Sequence, residues 1–311
     1  MKRISSILTA VLLAITAAAQ QTPQQSPQQP PGAGQQPPRR REVTPEGRQK
    51  IEAALPAKAP AKPHRPRKLL VVDFHAGHPS VPYADLAVEL MGTRTGAYET
   101  VISHDMSMFT ADKLKQFDAV YLNNTVGVPN DVFGETELRE PFAAYIREGG
   151  GLVGNHGTSV ASPKWAEFVD ILGATGAAHR AADEKVWLKL DDPSHPLNAA
   201  FGGKGFEFTD EIFRFLPPSP RTRVHVLFSI DVSRTDMNQG RCTSNCTSED
   251  GEFPLSWVRS YGKGRVFYCA LGHNPDAFGD PRMLQHFLAG IQFALGDLKA
   301  NTKPTVKAAA K

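Results

Sequence analysis

The chain has 311 residues, 41% hydrophobic and 22% charged, with three cysteines and a net charge of +3. Eleven of its 25 prolines fall between residues 20 and 67, so the rest of the chain has ample material for a core, and a polytopic membrane protein, a collagen-like chain and a disulfide-dense miniprotein are all excluded. Residues 69–298 carry 19 Lys and Arg against 29 Asp and Glu, an acidic balance that repels phosphate backbones and argues against a nucleic-acid partner.

Lys2 and Arg3 precede an apolar run over residues 7–15, and Ala17-Ala18-Ala19 supplies small residues for cleavage before Gln20. This is the pattern of a secretory signal, so a secreted or periplasmic location is expected, with no stable membrane insertion. Residues 20–41 hold eight Gln and six Pro and read as low-complexity spacer. Thr44-Pro45-Glu46 predicts a short helix to Leu55, with Thr44 as cap and Pro45 in the first turn. Residues 56–68 mix Pro with Lys and Arg and are expected to run extended and hydrated. The expected organisation is a signal over 1–19, a largely disordered linker over 20–67, a folded domain over 68–298 and a disordered basic tail over 299–311.

Within the domain, Leu69-Leu70-Val71-Val72-Asp73-Phe74 suits a central strand. Residues 83–91 have helical spacing, 100–103 read as a strand, 110–117 as a short capped helix and 118–123 as a strand. Residues 135–147 read as a helix ending at Gly149-Gly150-Gly151. Leu152-Val153-Gly154-Asn155 is a fourth strand, and 163–172 a further helix. This alternation predicts an α/β fold with a mostly parallel sheet and helices on both faces. The second half is richer in β-structure. Strands are expected near 185–190, 206–209 and 223–230, then a hairpin of 255–259 and 265–269 around Tyr261-Gly262-Lys263-Gly264, and a closing helix over 282–295.

In open α/β sheets ligands bind beyond the carboxyl ends of the strands. His75 and His78 follow the first strand, Asn123 and Asn124 the third, Asn155 and His156 the fourth, and His273 and Asn274 the late strand ending near Leu271. Gly154-Asn155-His156-Gly157 has the setting of a nucleophile elbow, but it projects an imidazole where a hydroxyl or thiol would stand. Glu211 follows Asp210 among Phe206, Phe208, Ile212 and Phe213, where a raised pKa would suit a general acid or base. The candidate catalytic residues are therefore His156, Glu211 and His273. The candidate substrate contacts are His78, Asn123, Asn155, His179 and Asn274. Three imidazoles and one carboxylate also suit zinc, manganese or iron, so a divalent metal is left open as the cofactor. His195-Pro196 reads as a structural turn. Cys242 and Cys246 lie in a polar loop where they could bridge, and Cys269 reads as an inert buried thiol. Trp257, Phe206 and Phe208 read as core before sugar-stacking surface.

Several separated pieces together resemble the ThuA-like (trehalose utilisation) family. They are Gly149-Gly150-Gly151-Leu152-Val153-Gly154-Asn155-His156, His179, His195-Pro196, Asp210-Glu211-Ile212-Phe213, and the run Pro254, Trp257, Tyr261-Gly262-Lys263-Gly264-Arg265-Val266-Phe267-Tyr268 with Leu271-Gly272-His273. The resemblance covers roughly residues 68–298. It implies a flavodoxin-like, class I glutamine amidotransferase-like fold and a pocket holding His156, His179, Glu211 and His273. It also implies a small-molecule carbohydrate partner, and no glutaminase activity, because His156 stands at the amidotransferase cysteine position. Gly77-His78 departs from the family's usual Arg-His pair, Phe213 from its usual Tyr, and residues 231–252 look like an insertion. Two readings follow: an exported enzyme acting on a sugar or oxidised sugar by His/Glu acid–base chemistry, or a non-catalytic carbohydrate-binding or scaffold protein.

Overall fold

The computed structural model describes residues 42–74, 78–126, 131–134 and 136–305. The expected signal and Gln/Pro spacer therefore lie outside the described residues, as does His75. Among the described residues eleven strands form, here named β1 (Lys68–Val72), β2 (Glu99–Ser103), β3 (Ala119–Leu122), β4 (Gly151–Asn155), β5 (Gly176–Ala178), β6 (Glu184–Leu190), β7 (Phe206–Asp210), β8 (Arg214–Phe215), β9 (His225–Ile230), β10 (Pro254–Tyr261) and β11 (Gly264–Cys269). The α-helices are α1 (Pro45–Ala54), α2 (Val81–Thr95), α3 (Ala111–Leu114), α4 (Arg139–Arg147), α5 (Ala166–Leu172) and α6 (Pro281–Leu295).

Nine strands make one sheet in the order β2-β1-β3-β4-β11-β10-β9-β6-β7, and β5 pairs with β8 apart from it. The first five run parallel, the flavodoxin-like part of the α/β fold. The remaining four extend the same sheet antiparallel, which accounts for the β-rich second half. Leu69 to Val72, all of β3 and all of β4 are buried. Such unbroken apolar runs, without alternation, are what a sheet covered on both faces requires. On β11, Phe267 meets α6, where a Cβ on Gly290 would lie 2.2 Å from the Phe267 ring. Its neighbour Tyr268 packs on the opposite face against Trp257, whose indole N–H donates to the Leu172 carbonyl at the end of α5. Trp257, Phe206 and Phe208 are thus all core.

The helix capped by Thr44 forms, and the Thr44 hydroxyl accepts from the Gly47 amide at 3.0 Å. The stretch after it is mostly exposed, as expected, but it is tied to the domain rather than free. Ala61 exchanges two hydrogen bonds with the Gln292 side chain, at 2.8 and 2.7 Å. The His64 amide donates to Asp297 at 3.0 Å, and Arg67 bridges Asp297 and Asp118 at 2.6 and 3.1 Å. Proline and basic residues here supply a strap several of whose backbone groups are satisfied by side chains of α6 and its end, which hold it to the domain while most of its residues stay exposed. The start of the tail is likewise docked: the Thr305 amide donates to the Val224 carbonyl at 2.9 Å and the His225 imidazole to the Lys303 carbonyl at 2.8 Å. Residues 306–311 lie outside the described residues. Among the described residues no helix is long and apolar enough to cross a membrane.

Candidate active site

The ends of β1, β3, β4 and β11 are neighbours in the sheet, and each is followed by a polar turn. After β4, His156 takes φ +38°, and after β3, Asn124 takes φ +49°. These are left-handed conformations that side-chain-bearing residues seldom adopt without support. The support is visible. The Asn155 side-chain oxygen accepts from the Asn124 amide, and the Asn124 side-chain oxygen accepts from the Gly157 amide, each at 2.8 Å. A Cβ on Gly157 would sit 2.3 Å from that Asn124 oxygen, so only glycine fits there. The Tyr268 hydroxyl donates to the His156 carbonyl at 2.7 Å. The elbow expected from the sequence is thus built, followed by a 3-10 turn over His156–Val160.

The imidazole it projects is 2% exposed and oriented by its own partner. His156 Nδ1 faces the Ala270 carbonyl at 3.0 Å, so Nδ1 carries the proton and Nε2 turns to Glu211, 3.4 Å from Oε1. His273 is set the same way. Asn274 donates its amide to the Ala182 carbonyl, which leaves the Asn274 oxygen to accept from His273 Nδ1 at 3.2 Å. His273 Nε2 then faces Glu211 Oε2 at 3.5 Å. His179, which follows β5, lies 3.2 Å from Oε2 through Nδ1, and the same nitrogen faces the Arg180 carbonyl at 2.9 Å. His78 completes the cluster, its ring 4.5 Å from that of His273 and 5.8 Å from that of His156. His78 Nδ1 accepts from the Asn124 side-chain amide at 2.7 Å. The rings of His156 and His179 also flank Phe213, at 4.7 and 5.5 Å.

Beneath this cluster Asp210, the last residue of β7, is fully buried. Its two oxygens accept from the amides of Gly272 (2.7 Å), Asn274 (2.8 Å), Glu211 (3.0 Å) and His273 (3.3 Å). One carboxylate thereby locks the loop that carries His273 to the residue that carries the site's acid. Burial pushes the Asp210 carboxyl up to about 6, against the downward pull of those amides. Burial also acts to raise Glu211, but hydrogen bonds from His156 and His179 outweigh it and hold that carboxyl below its ordinary value. The raised Glu211 pKa expected from its aromatic neighbours is therefore reversed, because the groups it touches are imidazoles. Glu211 in turn raises His179, against partial burial.

The structure brings together five of the predicted site residues: His78, His156, His179, Glu211 and His273. Asn123, expected at the substrate, instead points into the core and donates to the Val81 carbonyl and to Asp85 at 3.0 and 2.8 Å. Asn155 and Asn274 act one layer back, on Asn124 and His273. His195 is a structural cap, accepting from the Leu197 amide at 3.3 Å and stacked on His225. Cys269 is buried, and burial pushes its thiol up to about 12. Sequence reasoning missed the positioning roles of Asn124 and Asp210. The adjacent asparagines after β3 were the only signal for the first. The second acts through backbone amides, which leave no mark on residue type.

Residues 231–252 pack as loops along the wall of the site. Cys242 and Cys246 are bridged. Between them Thr243 grips His179 twice: its amide donates to the His179 carbonyl at 3.0 Å, and its hydroxyl accepts from the His179 amide at 3.1 Å. Arg180 anchors the same insertion by donating to the carbonyls of Met237, Gln239 and Gly240, each at 2.7 Å.

A family model described as "ThuA: Trehalose utilisation" matches residues 68–294. The chain belongs to the ThuA family. Among solved structures it resembles a ThuA-like protein from Bacteroides uniformis, with 24% identity, a TM-score of 0.60, and coverage of 75% of this chain and 93% of the other. A ThuA-like protein from Parabacteroides merdae is similar at 21% identity and TM-score 0.54, over 78% of this chain and 93% of that one. At these identities the likeness supports the fold. No curated protein sequence matches. The four imidazoles and Glu211 of this ThuA-family chain all fall within or beside the strand ends that its fold dedicates to ligands.

Proposed function

We propose that this ThuA-family chain is an exported enzyme that acts on a sugar or an oxidised (keto) sugar by His/Glu acid–base chemistry. The observation that carries the reading is the convergence of His156, His179 and His273 on the two oxygens of Glu211, at 3.2 to 3.5 Å. Proton transfer at a sugar carbon or hydroxyl needs a base and an acid within reach of one atom. An ionised carboxylate ringed by imidazoles supplies both, with Glu211 or His156 taking the proton and a second imidazole returning it. A two-carboxylate glycosidase arrangement does not account for it, since Asp210 is sealed beneath the cluster by four amides. Nor does glutaminase chemistry, since His156 occupies the elbow and Cys269 is a buried, protonated thiol.

The alternative, a carbohydrate-binding protein without turnover, is weakened by the burial of Trp257, Phe206 and Phe208, which removes the aromatic platforms it would need. Assaying the full chain on a panel of glycosides and keto-glycosides separates the two. The expected result is turnover on a keto-sugar that falls at least ~100-fold in Glu211→Gln and in His156→Gln. Absence of turnover on every substrate, with sugar affinity unchanged in both variants, would overturn the enzyme reading.

A further inference from the structure

We propose that Glu211, His156 and His273 form a binding site for a first-row divalent cation, held by the two Nε2 atoms and the carboxylate. His156 Nδ1 faces the Ala270 carbonyl and His273 Nδ1 the Asn274 oxygen, so in each ring Nε2 is the nitrogen left to coordinate. Both Nε2 atoms face the same carboxylate, His156 at 3.4 Å from Oε1 and His273 at 3.5 Å from Oε2. These separations are long for charge-assisted hydrogen bonds. The arrangement asks for a cation between the three groups. For bonds near 2.1 Å in a tetrahedral centre, neighbouring ligand atoms lie roughly 3.4 Å apart, which is the spacing found on both His–Glu edges. The backing is also that of a ligand set: each imidazole is steered by a carbonyl oxygen on its far nitrogen, and Asp210 holds the main chain of both Glu211 and His273.

His78, His156 and His273 offer nitrogens that all lie within 4.8 Å of one another, which would suggest a three-histidine centre. The hydrogen bonds argue against His78 as an equal partner. The Gly157 amide fixes the Asn124 oxygen, so the Asn124 NH2 must donate to His78 Nδ1, and the His78 proton is then on Nε2. His78 therefore borders the ion as a donor, while His156, His273 and Glu211 hold it. With His156 and His273 engaged, His179 is left as the second imidazole of the proposed proton transfer, its Nδ1 facing Arg180 and Glu211 and its ring the most exposed of the three that meet Glu211. Two nitrogens and a carboxylate favour Zn2+, Mn2+ or Fe2+ over hard, all-oxygen cations such as Ca2+.

The inference shares its site with the proposed activity but rests on geometry, so metal binding and turnover are read separately. The full chain, stripped with a chelator and dialysed, is titrated calorimetrically with Zn2+ and Mn2+ at neutral pH, and loaded with Co2+ for visible spectroscopy. One ion per chain is expected, with the d–d bands of a nitrogen- and oxygen-ligated centre. Glu211→Gln, which keeps the shape of the side chain, and His273→Ala should each weaken binding at least ~100-fold, and Asn274→Ala about 10-fold by freeing the His273 ring. His179→Ala and His78→Ala should bind within a few-fold of the parent. No binding by a folded parent chain, or parental affinity in Glu211→Gln, would overturn the site. A loss in His78→Ala equal to that in His273→Ala would overturn the ligand assignment. Metal binding without turnover would count against the proposed activity alone.

Discussion

Asp210 and Glu211 are adjacent carboxyls with opposite surroundings. Asp210 meets backbone amides inside the fold, and Glu211 meets imidazoles at its rim. Asp210→Asn keeps the volume but turns an NH2 toward amide donors, and should cost about 2–3 kcal/mol of unfolding free energy, measured by urea denaturation. The Glu211–His179 pair gives a pH signature. Glu211 is held below its ordinary 4.5, so its contribution is present above that pH and is lost as pH falls below it. His179 is raised above its ordinary 6.5, so its contribution is complete below that value and is lost as pH rises through the raised one. A double-mutant cycle on the pair should therefore show its largest coupling, up to about 1 kcal/mol for a half-exposed imidazole, between those two values, and little in alkali. A coupling that grew with pH would contradict the assignment. At the elbow, Gly157→Ala drives a methyl into Asn124 and Val126 and should lower stability by about 1–3 kcal/mol in the same assay.

At the scale of elements, the disulfide loop is a brace for one wall of the site. The two cysteines are four positions apart, so closing the loop constrains the unfolded chain by at most about 2 kcal/mol. Its larger effect is local, because Thr243 holds the backbone of His179. Replacing both cysteines by serine should leave the far-UV spectrum unchanged while amide exchange quickens at residues 177–180 and 240–246, and protection unchanged at those amides would show that the bridge does not brace them. Much of this layer was legible in the sequence. β1, β3 and β4 announce themselves as apolar runs because both faces of the sheet are covered, and His78, His156 and His273 stand out because each comes soon after such a run. The glycine-flanked His156 was legible for the same reason. The position of Asn123 was not, because the left-handed turn at Asn124 decides which of two adjacent amides reaches the site. The antiparallel order β10-β9-β6-β7 was not legible either, since it depends on pairings between segments far apart in the chain.

Across the whole molecule, residues 42–67 behave as part of the domain. Composition alone reads Pro, Lys and Arg as a solvated linker, because the buried partners that satisfy the strap, Gln292 and Asp297, lie more than 200 residues later. Arg67→Ala would leave the side chain of Asp297, which is 0% exposed, without its counter-ion. A loss of about 3 kcal/mol is expected, read as a fall in denaturation midpoint at constant slope. The order of strands carries a further consequence for how the protein comes into being. β11 is one of the last strands made, yet it occupies the middle of the sheet, between β4 and β10. Until it inserts, β4 and β10 are both bare edges, an invitation to intermolecular pairing in a nascent chain. The segment bearing His273 arrives with that same insertion. Sealing the seam and completing the constellation are thus a single event, and a chain that stops before β11, however well its first four parallel strands have formed, cannot assemble the whole cluster.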